Sequence, residues 1–387
     1  MAPSHPPVDG ATSLRAAILS PAADTGGQGA RFLDAARQCD PGLQLRALAG
    51  SATYMAFGGN EPWSYRLVQR LFDWADVIHV KTTLGPYKQF DKGRSRPVLL
   101  HHHGTAYRER ARYHLEEAAH FGALSAVSTI DLLRFDPERT HWLPSPQDCD
   151  MLAARRAEYE PSETVRVLHS PSSRRVKSTD LFLSVMAELE KRYNCKAIVV
   201  EGAAWRDVLT AKARYADIYY DQLNLGYGAN ALEAWAMGVP VVVGADEATL
   251  ARMRAVLGTL HFLPTTAETL YGRLEALIRS ASQRQSEGAM GEAYVRRWHD
   301  YPVAVARLRE LYDAAIAIKR HGHRYPRLKD ARRGERRRVG PGQWQVCVRD
   351  GMWSKATESQ SATFEKLHAL GEPVPLPATG PIAEALR

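Results

Sequence analysis

The sequence predicts an α/β protein built as two doubly wound domains that face each other across a cleft. Three observations carry this. Apolar, strand-like runs alternate with helical patterns through the first half, stop at a polar, proline-containing stretch at 153–164, and restart at 165; repeated strand–loop–helix units of this kind make parallel sheets with helices on both faces. At 387 residues the chain is too long for one ordinary core. Glycine-rich loops follow strands in both halves, at 24–29 and 226–228, where such folds hold ligands.

In chain order, residues 14–19 (LRAAIL) read as the first strand, leading into DTGGQG at 24–29 and a helix over 30–38. An amphipathic helix at 64–74 precedes a strand at 76–80. A third strand, 97–101, ends in His101, His102, His103 and Gly104, and a fourth, 123–127, ends at Ser128. A short strand at 141–143 closes the first half. The second half opens with a strand at 165–169, a helix at 179–193, a strand at 197–200 and a helix at 205–215. Later helices are expected at 267–280 and 302–320. Beyond 320 the alternation stops, leaving a small hairpin at 344–353, a short helix at 361–370 and a proline-rich end. The expected division is a disordered leader (1–12), a first domain (13–155), a second domain (156–300), a helix returning to the first (301–320) and a basic extension (321–387).

Composition narrows the class. Hydrophobic content of 45% and charged content of 24% fit a water-soluble globular chain. Cys39, Cys149, Cys195 and Cys347 are widely spaced, which argues against a zinc ribbon or disulfide framework and suits a reducing cytoplasm. No apolar run approaches the roughly 20 residues of a spanning helix, and MAPSHPPVDG lacks the layout of a signal peptide. The net charge of +8 is local: residues 319–338 hold ten Lys/Arg and two acids, leaving forty-one of each sign elsewhere.

The densest motif is ADIYYDQLNLGYGANALEAWAMGVPVVVG at 216–244. A strand ends at Asp221, a turn carries Gly226, Tyr227 and Gly228, and a helix follows with Asn230 in its first turn and Glu233 in its second. Unpaired N–H groups and the dipole at such a helix start favour anions, and a carboxylate one turn in can accept from sugar hydroxyls. Upstream, HSPSSRRVKSTD at 169–180 places Ser172, Arg174, Arg175 and Lys177 before a helix. Cations there oppose the helix dipole, so they point to an anionic ligand; Arg174 or Arg175 with Lys177 is the phosphate-facing set. Gly26 and Gly27 read as a ligand-facing loop, against a plain tight turn. His101 and His103 share a strand face, but no carboxylate or cysteine completes a metal set. His103 is read as substrate-facing. Trp63, Trp74, Trp142, Trp205 and Trp235 are read as core.

These motifs resemble those of GT-B glycosyltransferases, in particular the large retaining nucleotide-sugar family known as family 4. The resemblance covers roughly residues 14–318 and is strongest over 165–244. It implies two facing Rossmann-like domains, no metal and no tightly bound cofactor, with a UDP- or GDP-sugar as co-substrate. It implies that Lys177 and Arg174 hold the diphosphate, that Glu233 anchors the ribose, that Gly226, Tyr227, Gly228, Asn230, Ser172, Gly26 and Gly27 surround the donor, and that His103 approaches the sugar. One departure stands out. The family pairs two glutamates with seven residues between them; Glu233 matches the second, while the first position is Leu225. Asp221 is the substitute considered for holding the sugar.

The expected activity is transfer of a sugar from a nucleoside-diphosphate sugar to an acceptor, with retention. Leu225 keeps open an inactive GT-B-like protein that binds a nucleotide or nucleic acid. An epimerase of the same fold would need further carboxylates around the cleft. The basic run 319–338 is either a solvated segment or a contact with a polyanion, nucleic acid (such as a modified viral DNA base) or an anionic membrane surface.

Overall fold

The computed structural model describes residues 13–51, 59–91, 95–321, 336–340, 343–349 and 352–355. The expected leader at 1–12, most of the basic run, the helix expected at 361–370 and the proline-rich end lie outside the described residues.

The first half holds a seven-stranded sheet of β1 (Leu14–Ala23), β2 (Leu43–Ser51), β3 (Glu61–Pro62), β4 (Val77–Lys81), β5 (Val98–His102), β6 (Leu124–Val127) and β7 (Thr140–Trp142). Its order is β3-β2-β1-β4-β5-β6-β7, and every pairing is parallel. The chain winds outward to β2 and β3, then returns past β1 to β4. That reversal opens a crevice at the C-terminal ends of β1 and β4. Buried Val, Ile and Leu fill β4 and β5 on both faces, as a sheet covered on both sides requires. The covering helices are α1 (Gln28–Cys39), α2 (Tyr65–Trp74), α3 (Gly85–Phe90) and α4 (Gly104–Phe121).

After α5 (Cys149–Arg155), the second half alternates β8 (Val165–His169), α6 (Thr179–Glu190), β9 (Cys195–Val199), α7 (Trp205–Tyr215), β10 (Ile218–Tyr220), α8 (Ala229–Ala236), β11 (Val241–Val242) and α9 (Glu247–Leu257), followed by α10 (Leu270–Arg279) and α11 (Ala281–Trp298). Its parallel sheet runs β11-β10-β8-β9.

Two connections cross between the halves side by side. Gln147 forms a parallel bridge with Asp300, its N–H donating to the His299 carbonyl at 2.7 Å. His299 Nδ1 lies 3.0 Å from the Ser145 carbonyl. The polar stretch 153–164 therefore follows the crossing and belongs with the second half. On the return, α12 (Tyr301–His321) lays Tyr301, Ala304, Val305, Leu308, Leu311 and Tyr312 into the same core as Leu14, Ile18, Phe32 and Leu99. A separate antiparallel sheet joins β12 (Arg336–Gly340), β13 (Gln343–Arg349) and β14 (Met352–Lys355); the expected hairpin at 344–353 is its β13–β14 part. Among the described residues no helix is long and apolar enough to cross a membrane.

Candidate functional site

A cavity of about 320 Å³ lies between the halves at the C-terminal ends of both sheets. The first half contributes Gly26, Arg31, Gly104, Arg108, Ser128 and Thr129 to its wall. The second contributes Ser170, Ser172, Lys177, Trp205, Gln222, Leu225, Tyr227, Gly228, Asn230 and Glu233.

The β10–α8 turn is set by its own sequence. Gly226 adopts φ +75, a left-handed value that favours glycine, and a Cβ there would meet Met253 Cε at 2.7 Å. Gln222 Nε2 donates to the Gly226 carbonyl at 2.6 Å. Asp221 lies beneath the turn, buried. One of its oxygens accepts from the Gly228 N–H at 2.9 Å and the other from Lys177 Nζ at 2.5 Å. This pair ties the β8–α6 loop to the β10–α8 turn and leaves the ammonium on the cavity wall. Ala229 and Asn230, which open α8 and line the cavity, have N–H groups that a helix start leaves without intrahelical acceptors.

Glu233 is buried at the base of the cavity. Its Oε1 accepts from Trp205 Nε1 at 2.8 Å and from the Arg31 guanidinium. Its Oε2 accepts from Lys212 Nζ at 2.5 Å, which also donates to Asn230 Oδ1 at 2.8 Å. Burial pushes the carboxyl pKa up, but Lys212 and Arg31 outweigh it and hold it down at about 2. The two cations therefore favour the ionised form of Glu233. Arg31 also donates to Gln147 Oε1 at 2.8 Å and to the Gly26 carbonyl at 3.3 Å, so it joins the glycine loop, the crossing and the second half.

The loop at Gly26 and Gly27 takes φ +64 and +65. Asp24 fixes it by accepting from the Gly29 and Ala30 N–H groups at 2.8 and 3.0 Å, from Asn60 at 2.9 Å and from buried Lys81 at 2.5 Å. These N–H groups at the start of α1 are thus capped from within the protein.

The sequence-predicted residues divide. Lys177, Ser172, Tyr227, Gly228, Asn230, Glu233 and Gly26 line the cavity. Gly226 shapes the turn from behind, and Gly27 backs the loop. Asp221, considered as a sugar-holding group, has both oxygens committed to Lys177 and Gly228 instead. Arg174 points away: its side chain is 45% exposed and pairs with Asp180 at 2.8 Å and Glu201 at 2.9 Å. Arg175 is exposed as well. His103 is buried at the start of α4, its ring 4.2 Å from that of His101; its neighbour Gly104, not His103, reaches the wall. Burial, reinforced by Lys81, holds the His103 pKa well below the usual histidine value. Among the described residues no group of three or more His, Cys, Asp or Glu is placed to hold a metal ion.

Sequence reasoning missed Arg31, Arg108 and Trp205. Trp205 was read as core, yet it forms cavity wall, with the Arg31 guanidinium 5.2 Å from its ring centre. Arg108 pairs with Asp131 at 2.6 and 2.9 Å. The available signals were positional: Arg31 closely follows the glycine loop and Arg108 follows the histidine run.

This architecture is the GT-B fold of glycosyltransferases, two parallel-sheet units with the cavity between them. Among particular solved structures, a glycosyltransferase from Rickettsia africae superposes with a TM-score of 0.58 at 11% identity, covering 79% of this chain and 99% of that one. Sucrose-phosphate synthase from Thermosynechococcus elongatus gives 0.55 at 14% identity, covering 79% and 99%. Anabaena HepE, solved in complex with UDP-glucose, gives 0.57 at 13% identity, covering 78% and 100%. No protein-family profile and no curated protein sequence matches the chain. At these identities the likeness is one of fold.

Proposed function

We propose that the protein is a glycosyltransferase of the family 4 type, moving a sugar from a nucleoside-diphosphate sugar to an acceptor with retention and without a metal. One observation carries the reading: Lys177 and the opening of α8 converge on a cavity whose wall also holds Glu233, a carboxylate paired with Arg31 and Lys212. The cation and the helix start suit a diphosphate, and the Glu233 Oε2, which accepts from Lys212 alone, suits a ribose hydroxyl. The bound UDP-glucose of HepE supports a nucleotide-sugar donor.

In the proposed reaction the bond from the anomeric carbon to the phosphate oxygen breaks as the acceptor oxygen attacks the same face. The acceptor's proton passes to the departing diphosphate. Lys177 and the α8 N–H groups stabilise the charge that develops on that leaving group, so no side-chain nucleophile is required. Arg174, paired outward with two acids, is left out of this set, and Gly26 and Gly104 bring first-half backbone to the sugar side. A role for His103 requires it to move toward the cavity. The acceptor considered is nucleic acid or a lipid or saccharide; the charge excess at 319–338 would suit contact with a polyanion.

The test is a thermal-shift screen with UDP, GDP, ADP and their glucose conjugates, followed by product analysis. A ligand that binds only the folded chain raises its Tm. A rise with one nucleoside diphosphate, lost in Lys177→Ala, supports the site. No rise with any nucleotide overturns it. A rise with neither hydrolysis nor transfer points to the inactive nucleotide-binding protein that Leu225 keeps in view.

A further inference from the structure

Arg108, on α4, is a cation on the first-half wall of the cavity that the proposed reaction leaves unused. Its Nε and Nη2 both donate to one oxygen of Asp131, at 2.9 and 2.6 Å. The Asp131 side chain is buried, while that of Arg108 stays 19% exposed. The ion pair thus grips the guanidinium by its side edge. Both hydrogens of Nη1 and the second on Nη2 remain, forming the end edge of the fork, and they meet no acceptor among the described residues. That edge lies beside the wall, since a Cβ on Gly104, itself a wall residue, would stand 4.0 Å from Nη1. Hydroxyls adjoin it. Asp131 belongs to the turn Ile130–Phe135, directly after Ser128 and Thr129, and both of these line the cavity. Thr129 Oγ1 is buried without a partner among the described residues and does not cap the turn that follows.

We propose that Arg108 and Ser128 form a subsite for an oxyanion, a carboxylate or phosphate carried by the acceptor or by the donor sugar. The end edge of a guanidinium matches either group with two parallel hydrogen bonds, which a lysine or a hydroxyl cannot supply. Asp131 offsets the charge of Arg108 but also fixes the fork, so little side-chain ordering remains to oppose binding. The surroundings select the same class. First-half side chains put no carboxylate on the described wall, and Arg31, the other arginine there, is engaged with Glu233 and Gln147. A neutral hydroxyl would leave donors of the end edge without acceptors, and an oxyanion takes them. The donor's diphosphate fits this place less well, because it is assigned to Lys177 and the start of α8, which belong to the opposite half. The inference rests on the proposed function in taking the ligand to be a substrate of transfer; the preference for an oxyanion stands apart from it.

The experiment uses the full-length chain and isothermal titration calorimetry at fixed ionic strength. One arm compares glucuronate and glucose 6-phosphate with glucose, with and without UDP. The other compares UDP-glucuronate with UDP-glucose. The expected result is an anionic probe that binds about tenfold or more tighter than its neutral counterpart in one arm. Preference in the first arm makes the acceptor the carrier of the oxyanion, and preference in the second makes it the donor sugar. Arg108→Gln should remove most of the preference and leave the UDP Kd within about threefold. Arg108→Lys, a point charge in place of the fork, should keep part of it. Ser128→Ala, which leaves the Asp131 pair intact, should weaken the anionic probe by about threefold to tenfold and stands as the test where Arg108→Gln does not fold. A single cooperative melting transition checks the folding of each variant. Lys177→Ala should lose UDP affinity and keep the preference of the first arm. A chain that binds no nucleotide but shows that preference would sink the proposed function and keep this subsite. No preference in either arm, a preference that Arg108→Gln (or Ser128→Ala in its place) leaves unchanged, or a UDP Kd raised about tenfold by Arg108→Gln would each overturn the proposal.

Discussion

Arg31 on α1 donates to Glu233 on α8, a contact that spans the cleft and joins residues from the two halves. Both side chains are buried, and Lys212 holds the other carboxylate oxygen. Oε1 already accepts from Arg31 and Trp205, which fills its two lone-pair sites. A ribose that used both oxygens of Glu233 would have to displace one of these donors.

The stability consequence follows from the charges. Glu233→Ala strands two buried cations, Arg31 and Lys212, and should cost about 3–5 kcal/mol. Arg31→Ala leaves Glu233 with Lys212 and Trp205 and should cost less. The double variant should fall short of the sum of the singles, since the pair interacts directly. Urea denaturation of the four proteins measures this. Additive effects, or a larger loss in Arg31→Ala, would contradict the geometry.

Lys177 and Asp221 carry the second prediction. Lys177→Ala removes the cation from the cavity wall and leaves buried Asp221 with only the Gly228 N–H. Under the proposed function the transfer rate should fall by about 10²–10³, the scale for losing one group that stabilises a developing charge. Arg174→Ala, on an exposed side chain paired outward, should change the rate less than threefold. Steady-state kinetics on both variants decides it: equal losses would return Arg174 to the site.

The fold was legible where apolar runs are dense, as in β1, β4, β5 and β8. It was not legible in β2, whose LQLRALAGS alternates small apolar residues with Arg46. That arginine makes sense only beside its β3 partner Glu61, at 2.6 Å. Helix α11 was missed for a different reason. Its Gly288 and Gly291 sit where apolar residues would mark a buried face, because Gly238 backbone and the Trp235 ring press against them. The second-half wall of the cavity was legible as two motifs, with Lys177 in 169–180 and Gly228 and Glu233 in 216–244. Arg31 was not, because its contact with Glu233 exists only once the halves meet. The outward turn of Arg174 is likewise decided by Asp180 and Glu201, the second of which lies outside the motif.

Buried histidines predict acid sensitivity. Burial depresses His79 to about 3, and His169 and His299 to about 4, from 6.5. Unfolded chain therefore binds protons below pH 6.5 that the native state refuses. Stability should be full above that value and fall as pH drops toward 4, by about 1.4 kcal/mol per histidine per pH unit. Denaturation midpoints at pH 7.5, 6.5 and 5.5 test the sign. A midpoint that stays constant to pH 5.5 would show that these rings are protonated in the native protein.

Gly226→Ala tests the turn that carries the cavity's glycine motif. A side chain at φ +75 is strained by about 1–2 kcal/mol, and its Cβ crowds Met253 Cε. Adding Met253→Ala relieves the crowding but not the backbone strain. The single variant should therefore lose about 1–2 kcal/mol, with the backbone share persisting beside Met253→Ala relative to Met253→Ala alone. Nucleotide affinity should fall as well, because Gly228 and the start of α8 hang from this turn. Loss of stability without loss of affinity would separate the turn from the ligand.

Leu225 sets the last test. It lines the cavity beside Tyr227 and is held by a bridge to Ala245. Among the described wall residues Glu233 is the one carboxylate, and its oxygens face Arg31, Trp205 and Lys212. Under the proposed function, Leu225 would offer the donor an apolar contact in place of a hydroxyl acceptor. Leu225→Glu supplies that acceptor. A buried polar group discriminates strongly between substrates that do and do not satisfy it. The ratio of kcat/KM for two donors differing at one sugar hydroxyl should thus shift tenfold or more. The Kd for the nucleoside diphosphate alone, which has no sugar to contact this residue, should stay within about threefold. A shift in Kd with no shift in the ratio would place Leu225 against the nucleotide rather than the sugar.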